Sequence, residues 1–389
     1  MRVLLLHPGD PNQMYLMKSV CDNLYNVGIH TDMLDIHSKE FYSPRKNTFS
    51  FRRFDSLYSF LIRIPKVRVL VRKCINYTYL LCSWIVKHYD ILDIQSLFCI
   101  EFVDIAKICH KKGIKIKTHI WGSDLFRESE DQKSWHDAIY KCSDSIQVAT
   151  SNGAKYFSKV YPQYASRLVT IPYGLDQFDV LDSMLSSKTY LDDSFLSDQS
   201  AGRVFLTCGY NGRKEQRHML ILNAIENLPA NIKQSIFLFL PMTYLLEDDY
   251  AIQIEDRLKE LNIPYQIQKT RLPINQNLTM RIRTDIVINI QTTDGLAASI
   301  QEHLYCGNVL IAGNWLPYDV FLDNGIYYYK SSLDELSNSI KNVVNSLNIY
   351  KERCQNNRFA IHSLTSWHVI APKWKMMYDN IIKQTDINS

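Results

Sequence analysis

Short apolar runs alternate with longer amphipathic stretches from the start of the chain, the pattern of βα units wound into parallel sheets. Residues 3–6 read as a first strand, 14–26 as the helix that follows it, and 31–36 as a second strand. Further strands are expected at 91–95, 114–119, 145–149 and 168–171. A polar stretch rich in Ser and Asp then intervenes, which is linker composition. Alternation restarts with strands at 204–208, 236–240, 265–268, 286–290 and 309–312, and a long helical tail is expected from about 348 to 382. The fold class is therefore α/β, with two doubly wound domains. The expected boundaries are 1–180 for the first domain, 181–202 for the linker, 203–365 for the second domain and 366–389 for a closing helix.

A length of 389 residues suits two domains. Hydrophobic residues at 46% and charged residues at 22% exclude wholesale disorder and coiled coil. A net charge of +4 is too slight to imply nucleic acid, which demands a concentrated basic face. The nine cysteines form no CxxC pair, and no metal-ligand spacing appears anywhere, so reduced cytosolic thiols and no metal are expected. The start of the chain turns polar after Leu6 and reads as a strand rather than a secretory signal, and no run approaches the length of a membrane span.

In open parallel sheets ligands bind outside the carboxyl ends of the strands, so chemistry is sought in those loops. The most informative is Thr293-Asp-Gly-Leu-Ala-Ala-Ser-Ile-Gln-Glu-His-Leu-Tyr-Cys-Gly307. Asp294 and Glu302 stand eight apart and bracket two turns of an expected helix, so both face one way. Gly295 would let a ligand approach the backbone, and free amides from Leu296 through Ala297 to Ser299 would form an anion site at the positive end of the helix dipole. The competing reading is an ordinary capping Asp294 with a solvated Glu302.

This segment resembles the acid-x7-acid motif of the GT-B "glycosyl transferases group 1" family, usually Glu-Gly-Phe-Gly followed by a helix ending Ala-Cys-Gly. Here the first acid is Asp294, with Gly295, Glu302, Cys306 and Gly307 in register. The resemblance implies two Rossmann-like domains facing across a cleft, with donor ribose on Glu302 and the transferred sugar on Asp294. Thr207-Cys-Gly-Tyr-Asn-Gly-Arg-Lys-Glu-Gln-Arg-His218 is similar to the family's Gly-rich loop, which implies Gly209 at the turn and Arg213 and Lys214 on the diphosphate, with Arg217 or His218 as substitutes. Ser151-Asn-Gly and Ile171-Pro-Tyr-Gly-Leu-Asp176 resemble a helix start and a hinge of the same family, and the segment from Ser366 to Tyr378 resembles its closing helix, which crosses back to the first domain.

In the first domain, Lys117-Thr-His-Ile-Trp-Gly-Ser-Asp124 resembles the family's His-Gly-Ser-Asp loop, with Trp121 where the histidine usually stands. His119 points to the same strand face and would stand in for it, hydrogen-bonding a donor-sugar hydroxyl, while Trp121 would stack on a sugar. Asp124 is either an acceptor-side base or a helix cap. Gly9, in the first strand-to-helix loop, is the candidate for close approach to the diphosphate.

A basic, aromatic stretch carries Arg45, Lys46, Arg52, Arg53, Arg63, Lys66, Arg68, Arg72 and Lys73 among Phe and Tyr residues. Such a face suits an anionic membrane surface, at about 1 kcal/mol per Lys or Arg close to it. The expectation is a peripheral cytoplasmic enzyme at the inner face of the plasma membrane, and the family resemblance implies that it retains the anomeric configuration and requires no metal. It would move a sugar from a nucleoside diphosphate sugar to a lipid-linked glycan acceptor in bacterial surface polysaccharide synthesis, with no cofactor and no nucleic-acid partner. Alternatives are an amino- or deoxy-sugar transferase, because Pro241-Met-Thr-Tyr244 resembles a segment of the 4-acetamido-fucose transferases, a nucleotide-sugar epimerase, or a catalytically silent GT-B scaffold.

Overall fold

The computed structural model describes residues 1–9, 11–37, 40–44, 77–187 and 191–386. The chain divides into unit 1, Met1–Gly174 with Trp367–Ser389, and unit 2, Leu175–Ser366. Each is a Rossmann-like sheet with helices on its faces. In unit 1 the seven strands are β1 (Arg2–His7), β2 (His30–Asp35), β3 (Phe41–Tyr42), β4 (Ile91–Gln95), β5 (Lys115–His119), β6 (Ser145–Val148) and β7 (Leu168–Thr170), in the order β3-β2-β1-β4-β5-β6-β7. All pair in parallel except the edge strand β3. The central strands are buried on both faces because helices cover both; β1 is mostly apolar, whereas β4 and β5 set Asp93, Gln95, Lys117 and His119 on one face. Helices used below are α1 (Pro11–Asn26), α2 (Glu101–Lys111) and α3 (Gly122–Phe126).

In unit 2 the strands β8 (Val204–Cys208), β9 (Ile236–Leu240), β10 (Tyr265–Ile267), β11 (Ile286–Asn289), β12 (Val309–Gly313) and β13 (Tyr329–Ser331) run wholly parallel in the order β10-β9-β8-β11-β12-β13. Here α4 is His218–Glu226 and α5 is Ala298–Tyr305. The switch in strand order between β8 and β11 leaves two neighbouring loops at one carboxyl edge, the place where such sheets take ligands.

Residues 175–180, expected in the first domain, belong to unit 2. Part of the expected linker is helix Gln177–Ser187, whose Phe178, Leu181 and Met184 recur at helical spacing and are buried in unit 2. The tail expected as one helix is three, Leu347–Arg353, Asn357–Thr365 and Trp367–Asp386, the last two separated by Ser366 in extended conformation.

The helix Trp367–Asp386 lies on unit 1, where Trp367, Ile370, Trp374, Met377, Tyr378 and Ile381 pack with Val3, Leu5 and Ile91. Beneath it lies a fully enclosed ion pair, with Lys117 Nζ 3.0 Å from Asp93 and 4.4 Å from the centre of the Trp374 ring. Tyr378 also donates to Asp93, at 2.5 Å. Burial pulls Lys117 down to about 8, the usual penalty on a cation removed from water.

Candidate functional site

The loop after β8 opens on Gly209, at φ +67°, whose amide donates to Ile288 O at 2.9 Å. A Cβ there would lie 2.9 Å from both Gln216 Oε1 and His218 Nε2, so only glycine fits. Gln216 clamps the loop: its Oε1 accepts from Tyr210 N at 3.0 Å and its Nε2 donates to Gln291 at 2.8 Å. Thr292 N donates to Glu215 O at 3.0 Å. The loops after β8 and β11 are thereby fastened to each other at Gln216 with Gln291 and at Glu215 with Thr292.

The cations between Gly209 and α4 have different surroundings. Lys214 reaches Glu247 at 2.6 Å on the surface, and that partner raises its pKa. Arg217, at φ +60°, places its guanidinium 5.1 Å from the Trp315 ring, and the indole donates to Gln291 O at 2.8 Å. Arg213 is partly exposed, with its amide bonded to Asn211 Oδ1 at 3.0 Å. Among the described residues neither Arg213 nor Arg217 has a carboxylate partner. His218 is fully buried, bonded through Nδ1 to Tyr250 OH at 3.2 Å with no partner on Nε2 among the described residues, and burial pulls its pKa down to about 4, so it adds no charge to the loop near pH 7. The cationic character of the loop therefore falls on Arg213 and Arg217, with Lys214 already engaged.

The helix expected to carry both acids starts later than its spacing suggested. Only Ala298–Tyr305 is helical, and Asp294 lies in the preceding loop, where Leu296 takes φ +74°. Asp294 Oδ1 accepts from Gly295 N at 2.7 Å and Ala297 N at 3.3 Å, and Oδ2 accepts from Tyr318 OH. Tyr318 OH in turn accepts from Asn289 Nδ2 at 2.6 Å. The carboxyl is almost wholly buried, and burial pushes its pKa up to about 6 despite these donors. Asp294 thus acts as a loop cap in this structure, and it occupies one of the amides expected to be free, that of Ala297. Leu296, Ala298 and Ser299 keep amides without an acceptor among the described residues.

Glu302 is not the solvated acid of the competing reading. It is buried and accepts from Arg281 Nε at 3.1 Å, in a pair exposed by 4% and 6%. Arg281 also donates to Ser299 Oγ at 2.8 Å and meets His303 Nε2 at 3.1 Å. Arg281, Gln216, Gln291, Trp315 and Tyr318 escaped sequence reasoning, because their roles come from contacts across strands and no spacing announces them.

In unit 1 the His119 side chain is 2% exposed, boxed by Trp121, Tyr173 and Trp374 at ring separations of 5.7, 5.8 and 5.5 Å. Burial and the nearby Lys117 hold it well below the usual imidazole range. Trp121 packs against the same aromatic group, its indole nitrogen buried. His119 is thus enclosed within the aromatic group, while Trp121 is only partly buried at its edge. Asp124 is the cap of α3: its Oδ2 accepts from Leu97 N and Trp121 N, each at 3.0 Å, and burial pushes it up to about 7.

Gly9 takes φ +87°, and a Cβ there would lie 2.7 Å from Asp35 Oδ1 and 2.9 Å from His37 Cβ, so the loop after β1 presses on the one after β2. Among the described residues one group could hold a metal ion, His37, Cys99 and Glu101, whose ligand atoms all lie within 4.8 Å of one another. The expectation of no metal rested on spacing along the chain, and 62 residues separate His37 from Cys99. The basic positions Arg45 to Lys73 lie outside the described residues. No helix among the described residues is long and apolar enough to cross a membrane.

No family model matches the sequence, and no curated protein matches it either. Solved structures do match along the whole chain. Anabaena HepE, in complex with UDP, superposes with a TM-score of 0.71 at 11% identity, covering 98% of this chain and 100% of its own. Sucrose-phosphate synthase from Thermosynechococcus elongatus gives 0.68 at 13% identity, over 99% and 100%. A UDP-forming trehalose-phosphate synthase from Burkholderia xenovorans gives 0.69 at 11% identity, over 98% and 99%. The chain has the GT-B fold, as the sequence resemblance implied.

Proposed function

We propose that the protein is a glycosyltransferase that uses a nucleoside diphosphate sugar, with the donor on unit 2 and the acceptor on unit 1. The observation that carries this reading is the carboxyl edge of β8 and β11. Two arginines without carboxylate partners among the described residues, Arg213 and Arg217, stand in a loop fastened to the loop that leads into α5, and along the latter the amides of Leu296, Ala298 and Ser299 lack acceptors. Guanidinium groups and a helix N-terminus are the two devices proteins use most directly against phosphate oxygens. They would hold the diphosphate in the ground state and stabilise it as it departs, which is catalysis by positioning and electrostatics. Glu302 and Asp294 would take ribose and sugar hydroxyls by exchanging part of their contacts with Arg281 and Tyr318.

Structures of the same fold bear UDP and UDP-glucose in HepE, which makes uridine donors the first to test. The acceptor is proposed to be a lipid-linked glycan in surface polysaccharide synthesis, reached by a peripheral cytoplasmic protein whose stretch 45–73 docks on anionic lipid. Transfer is proposed to retain the anomeric configuration and to need no cofactor. Sedimentation with anionic vesicles tests the docking, and binding that ignores salt would count against it.

A thermal-shift screen of UDP-, GDP- and TDP-sugars, followed by assay of donor cleavage, tests the main reading. A true donor at about 100 times its Kd stabilises the fold by about 2.7 kcal/mol. If none shifts the melting temperature and none is cleaved, the assignment fails. The internal pairing of both Asp294 and Glu302 favours a second reading, a silent GT-B scaffold; donor hydrolysis by the purified chain excludes it.

A further inference from the structure

The loops after β2 and β4 flank β1 at the carboxyl edge of unit 1's sheet, and they bring together three side chains of zinc-binding type. His37 is the second residue after β2. Its amide donates to Asp35 Oδ1 at 2.8 Å, and its Cβ lies against Gly9, so its backbone is fixed from two sides. Cys99 is 2% exposed in the loop after β4, and Glu101 begins α2 two residues later. The Cys99 thiol donates to Glu101 Oε2 at 2.9 Å and stands 3.8 Å from His37 Nε2.

We propose that unit 1 binds a zinc ion through His37 Nε2, Cys99 Sγ and the Glu101 carboxylate. In a tetrahedral zinc shell, with bonds of about 2.3 Å to sulfur and about 2.0–2.2 Å to nitrogen and oxygen, donors lie roughly 3.3–3.7 Å apart. The observed separations of 2.9 and 3.8 Å reach that spacing by shifts below about 1 Å. Thiolate with imidazole selects zinc over magnesium or calcium, which favour oxygen alone. Binding replaces the proton that Cys99 now shares with Glu101: the S–H bond breaks, the S–Zn bond forms and the proton leaves to solvent. Three protein ligands leave a fourth position open, the pattern of sites that also take water or a small ligand. The site is independent of the donor reading, because the groups proposed to hold the diphosphate belong to unit 2.

The test uses the full chain after chelator treatment and dialysis, titrated with cobalt(II) and then competed with zinc. One cobalt per chain with a thiolate-to-cobalt charge-transfer absorption, displaced by zinc, is the expected result. Cys99→Ser removes that absorption. His37→Ala and Glu101→Gln alter exposed side chains and therefore leave the fold intact. Each weakens binding by at least the roughly 10–100-fold typical of losing even a supporting group around a metal. Absence of the absorption in the unaltered chain overturns the proposal, as does affinity unchanged in both His37→Ala and Glu101→Gln.

Discussion

The strand ends around β5 in unit 1 and around β8 and β11 in unit 2 are built in opposite ways. Around β5 in unit 1, His119 and Trp121 are packed among aromatic rings and Asp124 is spent on two backbone amides. Around β8 and β11 in unit 2, two arginines and three backbone amides have no acceptor among the described residues. The difference is exposure: His119 Nδ1, Trp121 Nε1 and Asp124 Oδ1 are shut away from solvent without a partner, whereas Arg213 and Arg217 are partly exposed at a strand end, where a ligand can reach them. The same architecture thus yields a structural edge in one place and a binding edge in the other.

The comparison can be broken at four points. The largest effect is expected from Glu302→Ala, which strands the Arg281 guanidinium and should cost about 3–5 kcal/mol in chemical denaturation. Glu302→Gln, by contrast, should raise the donor KM more than it lowers stability if the acid also serves a ribose. Next, Arg213→Ala with Arg217→Ala should lower kcat/KM for the donor by about 100–1,000-fold, roughly 3–4 kcal/mol, with the melting temperature nearly unchanged. Unchanged turnover would move the diphosphate elsewhere.

A third effect is set by pH. Asp124 is held up to about 7 by burial, so between about pH 4 and 7 the folded state keeps a proton that the unfolded chain has lost. Its contribution therefore makes the fold most stable below pH 4 and declines as pH rises, by about 4 kcal/mol. Asp124→Asn, which still accepts from Leu97 and Trp121, should flatten that slope in denaturation series. The smallest effect belongs to Lys214→Ala. Its pair with Glu247 is surface-exposed, so stability should not change measurably, and turnover should fall less than in the arginine variants.

Residues 3–6, 91–95, 204–208, 236–240 and 286–290 are strands because each is a short apolar run closed by turn residues, a signal carried by neighbours in the chain. The edge strands β3 and β13 escaped detection, the first because two residues have no period to read and the second because Tyr-Lys-Ser is not an apolar run. The segment around Asp294 was legible as a special loop from its glycine and acids. Its helix start was not, because Leu296 in a left-handed conformation ends the periodicity that spacing assumes.

By itself the sequence determined two α/β units, their strands, the Gly209 turn and the identity of the loops in which chemistry should be sought. Only the tertiary structure decided which charged groups are occupied: that Lys214 meets Glu247, that Glu302 meets Arg281, and that His37 lies beside Cys99. The reason is physical. Hydrophobic period is a property of adjacent residues, but the partner that satisfies a charge is chosen by whichever strand ends the fold sets side by side, and chain distance carries no record of that choice.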